Sequence, residues 1–115
     1  MIQVMIEQSP DERIHSFTVR GHANFDRYGS DIVCAGVSAV TFGTLNAVEV
    51  ITGVVPDIEQ DGEGGYLHWT VPDGLPHKTA EQIQLLLRGM LVSLQTIEES
   101  YGDYVKISFK QREVE

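Results

Sequence analysis

The chain has one cysteine, Cys34, and this residue carries most of the chemistry that the sequence suggests. A single cysteine has no partner for an intramolecular disulfide, so it is a buried small hydrophobic residue, a reactive thiol or a metal ligand. It lies near the beginning of a long apolar segment that starts at Asp31. If that segment is a helix, Cys34 falls in its first turn, where free backbone N–H groups and the helix dipole favour a thiolate.

His22 is the histidine that is placed to act with this thiol. It follows the second predicted strand and precedes Cys34 by twelve positions, and a loop of that length can bring a strand end back to a helix start. A cysteine and a histidine in contact are the minimum for nucleophilic catalysis. The residues alone also allow a second interpretation, in which Cys34 is an inert core residue, His22 bonds a backbone carbonyl group and Asp31 only caps the helix.

The remaining candidates for chemistry have simpler interpretations. His15 and His68 lie in predicted strands and His77 lies near a helix start, so we assign them to surface or strand packing. Four ligands for a zinc ion cannot be nominated, and we predict no metal and no cofactor. The glycines within residues 62–65 are assigned to a turn, because no Lys-Ser/Thr pair and helix follow them as a phosphate-binding loop requires.

Two hairpins, two helices and a last strand must position these residues. Alternating apolar residues predict a strand on each side of the turn at residues 9–11, and Gly21 closes the second strand. Residues 54–60 and 66–71 flank a glycine-rich turn and predict a second hairpin, and residues 104–110 predict a last strand. The order ββαββαβ predicts an α+β fold with an antiparallel or mixed sheet and two helices, in a single domain over residues 1–115.

The two predicted helices differ in the arrangement of their apolar residues. From Asp31 onward these residues point in almost every direction, so we expect the first helix to be covered on most sides; its β-branched residues also allow a strand, but its length favours a helix. Asp31 or Ser30 is the predicted N-cap, and Gly53 the predicted end. The second helix has one apolar face, capping-box spacing at Thr79 and a predicted end at Gly102.

The charge balance limits the partners of the protein. Seventeen acidic and eight basic residues give a net charge of −9 over 115 residues, which repels phosphate backbones and anionic membrane surfaces and favours a basic partner. We therefore predict no direct contact with nucleic acid and none with a membrane. The N-terminus shows no leader pattern, and the longest unbroken apolar run, residues 32–37, is too short for a membrane span, so we expect a cytoplasmic protein.

A combined motif surrounds the predicted cysteine and histidine pair. The sequence reads GHA at residues 21–23 and, after five further residues, GSDIVCAGVS at residues 29–38. This pattern resembles the signature of the Prp family of ribosomal-processing cysteine proteases, in which a Gly-His-Ala turn precedes a Gly-x-Asp-[Ile/Leu]-Val-Cys-Ala-[Ala/Gly]-[Val/Ile]-Ser helix start. Gly36 stands where many members have alanine, a change that keeps the packing close and slightly weakens the helix.

The resemblance implies an α+β fold, usually dimeric, and a cytoplasmic bacterial endopeptidase. The implied substrate is a basic large-subunit ribosomal protein whose N-terminal arm reaches the peptidyl-transferase centre. That arm begins with an extension that ends in a sequence of the Leu-Gln-Phe-Phe type and must be removed. An acidic enzyme suits such a substrate through electrostatic steering. The alternative is a non-catalytic ribosome-assembly or binding module in which the Cys34 region is core.

Position by position, the resemblance implies that Cys34 is the nucleophile and His22 the base that takes its proton and later protonates the leaving amine. Asp31 matches the motif's aspartate, and its position leaves open whether it orients His22, caps the helix or contacts the substrate. Backbone N–H groups at the helix start, including that of Cys34, are candidates for the oxyanion hole. Three further positions match the motif as supporting or substrate-binding candidates: Gly21, Gly29 and Ser38.

The loop from Asn24 to Ser30 joins the two predicted catalytic residues and offers Phe25 and Tyr28 as apolar contacts in a polar stretch that contains Gly29. We predict that this loop closes over bound substrate and excludes water from the site. Hydrogen exchange of residues 24–30 should therefore slow when a peptide that resists cleavage is added. An ordinary surface loop with two incidental aromatic residues would exchange equally with and without the peptide, and that result would refute the closure.

Overall fold

The computed structural model describes residues 1–22, 30–62 and 65–112. Two strands, a helix, two strands, a helix and a last strand follow one another, as predicted. The elements are β1 (Ile2–Gln8), β2 (Ile14–Arg20), α1 (Ser30–Thr52), β3 (Glu59–Gln60), β4 (Tyr66–Thr70), α2 (His77–Tyr101) and β5 (Val105–Gln111). The predicted α+β class, with two helices and one sheet, is confirmed.

The five strands form one mixed sheet in the order β3-β4-β2-β1-β5. β1 pairs antiparallel with β2 and parallel with β5, and β4 pairs antiparallel with both β2 and β3. The parallel pair stays in register from Ile2 opposite Val105 to Gln8 opposite Gln111. Each helix therefore joins two strands that run in the same direction, which is the crossover connection that such strands require.

Alternate residues of the strands and one side of each helix form a single core. Phe17 of β2 and Trp69 of β4 are at most 1% exposed and meet edge to face, with ring centroids 6.4 Å apart at 75°. Burying a large apolar side chain contributes about 1.5–3 kcal/mol, so this cluster supplies the main stabilisation of the fold. Its members are Ile2, Val4, Ile6, Ile14, Phe17, Val33, Val37, Leu45, Val48, Leu67, Trp69, Ile83, Leu87, Met90, Leu94 and Val105.

α1 begins slightly earlier than the sequence indicated. Its first residue is Ser30, so neither Ser30 nor Asp31 is the N-cap, and both lie in the first helical turn. The predicted cap is wrong by one or two positions, a common error because local sequence specifies helix ends weakly. The predicted end is confirmed, since Gly53 follows the helix with a φ of +80°, a conformation that glycine adopts without strain.

The outer side of α1 is apolar and open. Val50 is 84% exposed and Ile32 57%, so the expectation that this helix is covered on most sides is wrong for the single chain. The reason is that the sheet and α2 cover only one side of it. By length and mean hydropathy, 1.4, Ile32–Thr52 also qualifies as a membrane span, with 28% of the window buried. A core helix passes the same test, and α1 contributes four residues to the core.

Two other elements differ from the sequence-based expectation. β3 is limited to Glu59–Gln60 instead of residues 54–60, and Pro56 within that range has no N–H group to donate to a strand ladder. α2 begins at His77 with Pro76 as its N-cap and no side-chain cap, so the predicted capping box at Thr79 is wrong. The carbonyl group of Pro76 accepts the first helical hydrogen bond, from Ala80 N–H at 2.9 Å.

We predict that Gln84→Leu destabilises the fold more than its volume change suggests. Gln84 is 8% exposed, and its amide accepts a hydrogen bond from Ile14 N–H and donates one to Ile14 C=O, both at 2.8 Å. Leucine leaves both buried backbone groups unpaired, which should lower the free energy of unfolding by about 1–3 kcal/mol in urea titrations. Gln95→Leu, at an exposed position of the same helix, is the control. Equal midpoints for the two variants would contradict the prediction.

Candidate active site

His22 lies just beyond β2, at the end of the sheet where β1 and β5 begin and β2 ends. Gly21 makes this exit possible, because its φ is +92° and a Cβ there would lie 2.5 Å from the carbonyl oxygen of Met1. A side chain at residue 21 would therefore collide with backbone, which cannot move aside cheaply. The motif glycine at this position thus has a structural reason within the fold.

Backbone hydrogen bonds fix the chain on both sides of His22. The Met1 amino group donates to the His22 carbonyl oxygen at 2.7 Å, and Gly21 N–H donates to the Gly65 carbonyl oxygen at 2.9 Å. Ile2 N–H donates to Tyr104 C=O at 2.8 Å, which extends the same network to the start of β5. The His22 side chain itself is exposed, whereas its backbone is held in place.

Cys34 is the fifth residue of α1 and lies at the start of the second turn, not in the first turn as predicted. Its side chain is half-buried and packs against the core. The first four N–H groups of a helix lack an intrahelical acceptor, and the Cys34 N–H comes after them. Free N–H groups for an oxyanion hole therefore belong to residues that precede Cys34, and the structure gives the Cys34 N–H no support in that role.

The other motif residues are only partly described. Ser38 is exposed on α1, one turn beyond Cys34 and on the same side of the helix. Asp31 lies in the first turn of α1, and its side chain is not described. Gly29, Phe25 and Tyr28 lie outside the described residues, and so does the predicted closing loop apart from its last residue, Ser30, which is the first residue of α1. His22 thus directly precedes residues 23–29 and Cys34 lies in the helix that follows them, and direct contact of the two side chains stays a prediction.

The open face of the sheet carries a groove of about 440 Å³ that does not contain the predicted pair. Arg20 and Lys106 are its basic residues, and the Arg20 guanidinium lies 5.1 Å from the centroid of the Tyr66 ring. Its lining is otherwise polar, apart from Val4 and Met5. Within residues 1–22, 30–62 and 65–112, no group of three His, Cys, Asp or Glu side chains is arranged to hold a metal ion.

The sequence pattern indicates only a turn at Gly65, whereas in the structure this residue lies against the His22 side chain. The two residues are 43 positions apart in the sequence. No local pattern signals this contact, because it arises only when β4 pairs with β2 and brings its first residues to the end of that strand.

A family model described as cysteine protease Prp matches residues 1–106. The chain belongs to this family. Its Prp relative in Bacillus subtilis (strain 168), named ribosomal processing cysteine protease Prp, is 45% identical over 108 residues, which cover 94% of this chain and 96% of that protein. The resemblance drawn from the GHA and GSDIVCAGVS segments is therefore confirmed.

Solved Prp structures agree with the fold. A crystal structure of an essential ribosomal processing protease Prp from S. aureus in complex with a substrate peptide has a TM-score of 0.83 and 41% identity, over 96% of this chain and 100% of that one. A second crystal structure of the S. aureus protease, in complex with a covalently linked product peptide, has a TM-score of 0.83, 42% identity and the same coverage.

We predict that Cys34 reacts with iodoacetamide faster than free cysteine at pH 6, and that His22→Ala removes most of this advantage. The helix dipole acts mainly within the first turn, and Cys34 lies at the start of the second turn, so the predicted contact with His22 should contribute the larger part of the enhanced reactivity. The measurement is the labelling rate of Cys34 against pH, with His77→Ala, at the exposed start of α2, as the control. Identical profiles for wild type and His22→Ala would show that the pair is uncoupled in the free enzyme.

Proposed function

We propose that this chain is a cytoplasmic cysteine endopeptidase that removes the N-terminal extension of a large-subunit ribosomal protein, with Cys34 as nucleophile and His22 as base. The observation that carries the proposal is similarity over 96% of the chain to the S. aureus protease, which is known with a substrate peptide and with a covalently linked product peptide. A covalently linked product is the species expected of a protease that acts through a nucleophilic side chain. Cys34 is the only cysteine that the sequence offers for that step.

The proposed reaction begins with transfer of the Cys34 thiol proton to the His22 imidazole. The thiolate attacks the carbonyl carbon of the scissile peptide bond and forms a tetrahedral intermediate, whose oxyanion accepts hydrogen bonds from free N–H groups at the beginning of α1. Collapse breaks the C–N bond, and the imidazolium gives its proton to the leaving amine. His22 then takes a proton from water, which hydrolyses the thioester and restores the thiol.

The proposed substrate is the basic ribosomal protein whose N-terminal arm reaches the peptidyl-transferase centre, cleaved after a sequence of the Leu-Gln-Phe-Phe type. The net charge of −9 supports a basic partner, because opposite charge accelerates the encounter of two proteins. The exposed position of His22 also suits a site that must admit an extended peptide from another protein. The chain would meet this partner without direct contact with nucleic acid.

We further propose that the protein is a homodimer that buries the open sides of its helices. Val50 of α1 is 84% exposed, and Leu85 and Val92 of α2 are 73% and 61% exposed. Clustered apolar residues on the surface of a protein mark interaction sites. A second copy of the chain would supply a matching apolar face, since a two-fold interface joins the same patch on both subunits.

We predict that Cys34→Ala and Cys34→Ser abolish cleavage of a fluorogenic peptide that carries the aromatic cleavage sequence, while both variants still fold. Cys34→Ser should also retain peptide binding, because binding uses the surrounding surface. His22→Ala should lower turnover by about 10²–10⁴-fold, the usual contribution of general acid–base catalysis. Turnover is measured by fluorescence and folding by thermal unfolding, with His77→Ala as the control.

Retained cleavage by Cys34→Ala would overturn the assignment of the nucleophile. Near-normal turnover by His22→Ala would remove this residue from the mechanism. Saturable binding of the peptide by the wild-type protein without any turnover would select the alternative function, a non-catalytic binding module.

A further inference from the structure

The His22 imidazole occupies the space that a side chain at residue 65 would fill. A Cβ built on Gly65 would lie 2.7 Å from His22 Nε2 and 3.4 Å from both His22 Cδ2 and Cε1. Optimal separation between non-bonded carbon atoms is about 3.5–4.0 Å, so the first of these contacts is a clash. The ring and any residue larger than glycine at this position therefore exclude each other.

Gly65 is held in place from both sides by hydrogen bonds. Its carbonyl oxygen accepts from Gly21 N–H at 2.9 Å, and its own N–H donates to Asp61 Oδ1 at 3.0 Å. Gly21 directly precedes His22, so the hydrogen bond between Gly21 and Gly65 fixes two things at once. It holds the backbone from which the His22 side chain extends, and it holds Gly65 beside the imidazole ring. Asp61 contributes by fixing the turn from which Gly65 enters β4.

This relation is specific to Gly65 among the glycines that the structure describes. A Cβ at Gly62, three positions earlier in the same turn, would meet nothing within 4 Å. A Cβ at Gly21 would collide with backbone, which makes that glycine a requirement of the fold. Only at Gly65 would the added atom come closer than 3.0 Å to a side chain, and that side chain is the one predicted to move the proton.

We propose that Gly65 is a positioning residue for His22, and that its missing side chain, with Asp61 holding its backbone, sets the orientation of the imidazole. The inference rests on the proposed function, in which His22 takes the proton of Cys34. Because the His22 side chain is exposed, a methyl group at residue 65 would push the ring aside without disturbing the core. The cost of such a change would therefore fall on catalysis and not on folding.

Gly65→Ala tests this inference, with Gly62→Ala as the matched control. We expect the kcat for the fluorogenic peptide to fall about 10²-fold in Gly65→Ala, the loss that a displacement of about 1 Å can cause, with little change in KM. The labelling profile of Cys34 with iodoacetamide should move toward that of His22→Ala, a shift that a general loss of stability would not produce. Gly62→Ala should match the wild type in both measurements.

A double variant separates failure of this inference from failure of the proposed function. Gly65→Ala combined with His22→Ala should be no slower than His22→Ala alone, because residues that act through one group are not additive. Near-normal turnover of His22→Ala would overturn the base assignment and this inference with it. A normal kcat and labelling profile for Gly65→Ala, in an enzyme that still needs His22, would overturn the positioning role alone.

Asp61→Ala decides the question if Gly65→Ala does not fold. This exposed carboxylate can be removed without touching the core, and Asp57→Ala, at an exposed position in the segment before β3, is its control. We expect Asp61→Ala to lower kcat several-fold and to shift the labelling profile of Cys34 in the same direction as His22→Ala. If Asp61→Ala and Asp57→Ala are both indistinguishable from the wild type, the positioning of His22 through Gly65 is refuted.

Discussion

Pairing of β1 along both of its edges organises the whole molecule. β1 pairs with β2 on one side, from residue 3 to residue 8, and with β5 on the other, from residue 2 to residue 8. Its inward side chains Val4 and Ile6 are completely buried, so displacement of this strand would expose the centre of the core. β5 comes last in the chain and runs parallel to β1, so the chain must cross the sheet between β4 and β5. Helix α2 makes this crossing and covers the apolar face of the sheet.

The same pairing fixes where His22, the proposed base, leaves the sheet. The start of β1, the start of β5 and the end of β2 meet at one end of the sheet, and His22 leaves the sheet there. At this end hydrogen bonds with Met1 and Gly65 hold the backbone at residues 21 and 22, whereas the His22 side chain stays exposed. Such an arrangement combines a fixed backbone with an exposed imidazole, which is what the proposed proton transfer by His22 requires.

Glycine has three different physical roles in this molecule. Gly21 is needed because of its φ of +92° and because Met1 backbone lies against it, and Gly53 ends α1 at a φ of +80° with open space around it. Gly65 has no positive φ, and a side chain there would meet no backbone atom among its nearest contacts. The atoms that it would meet belong to the exposed imidazole ring of His22. The first two roles concern the fold, whereas the third concerns the orientation of a single side chain.

Local sequence determined the elements and the identity of the family. Alternation in β1, β2 and β5, the single apolar face of α2 and the glycines after both helices predicted seven elements in the right order, and the segments around His22 and Cys34 predicted the Prp family. These features are encoded within a few residues of one another. The N-terminal ends of α1 and α2 were predicted less well, because caps depend on single hydrogen bonds.

Only the tertiary structure decided the strand order, the parallel pairing of β1 with β5 and the contact of Gly65 with His22. It also showed that α1 keeps an open apolar side, although its composition predicted cover on most sides. The physical reason is common to all four features. Each depends on which segments, distant in the sequence, pair through hydrogen bonds or bury their apolar side chains against each other. Local sequence allows several strand pairings, and the packing of the helices on the sheet selects one of them.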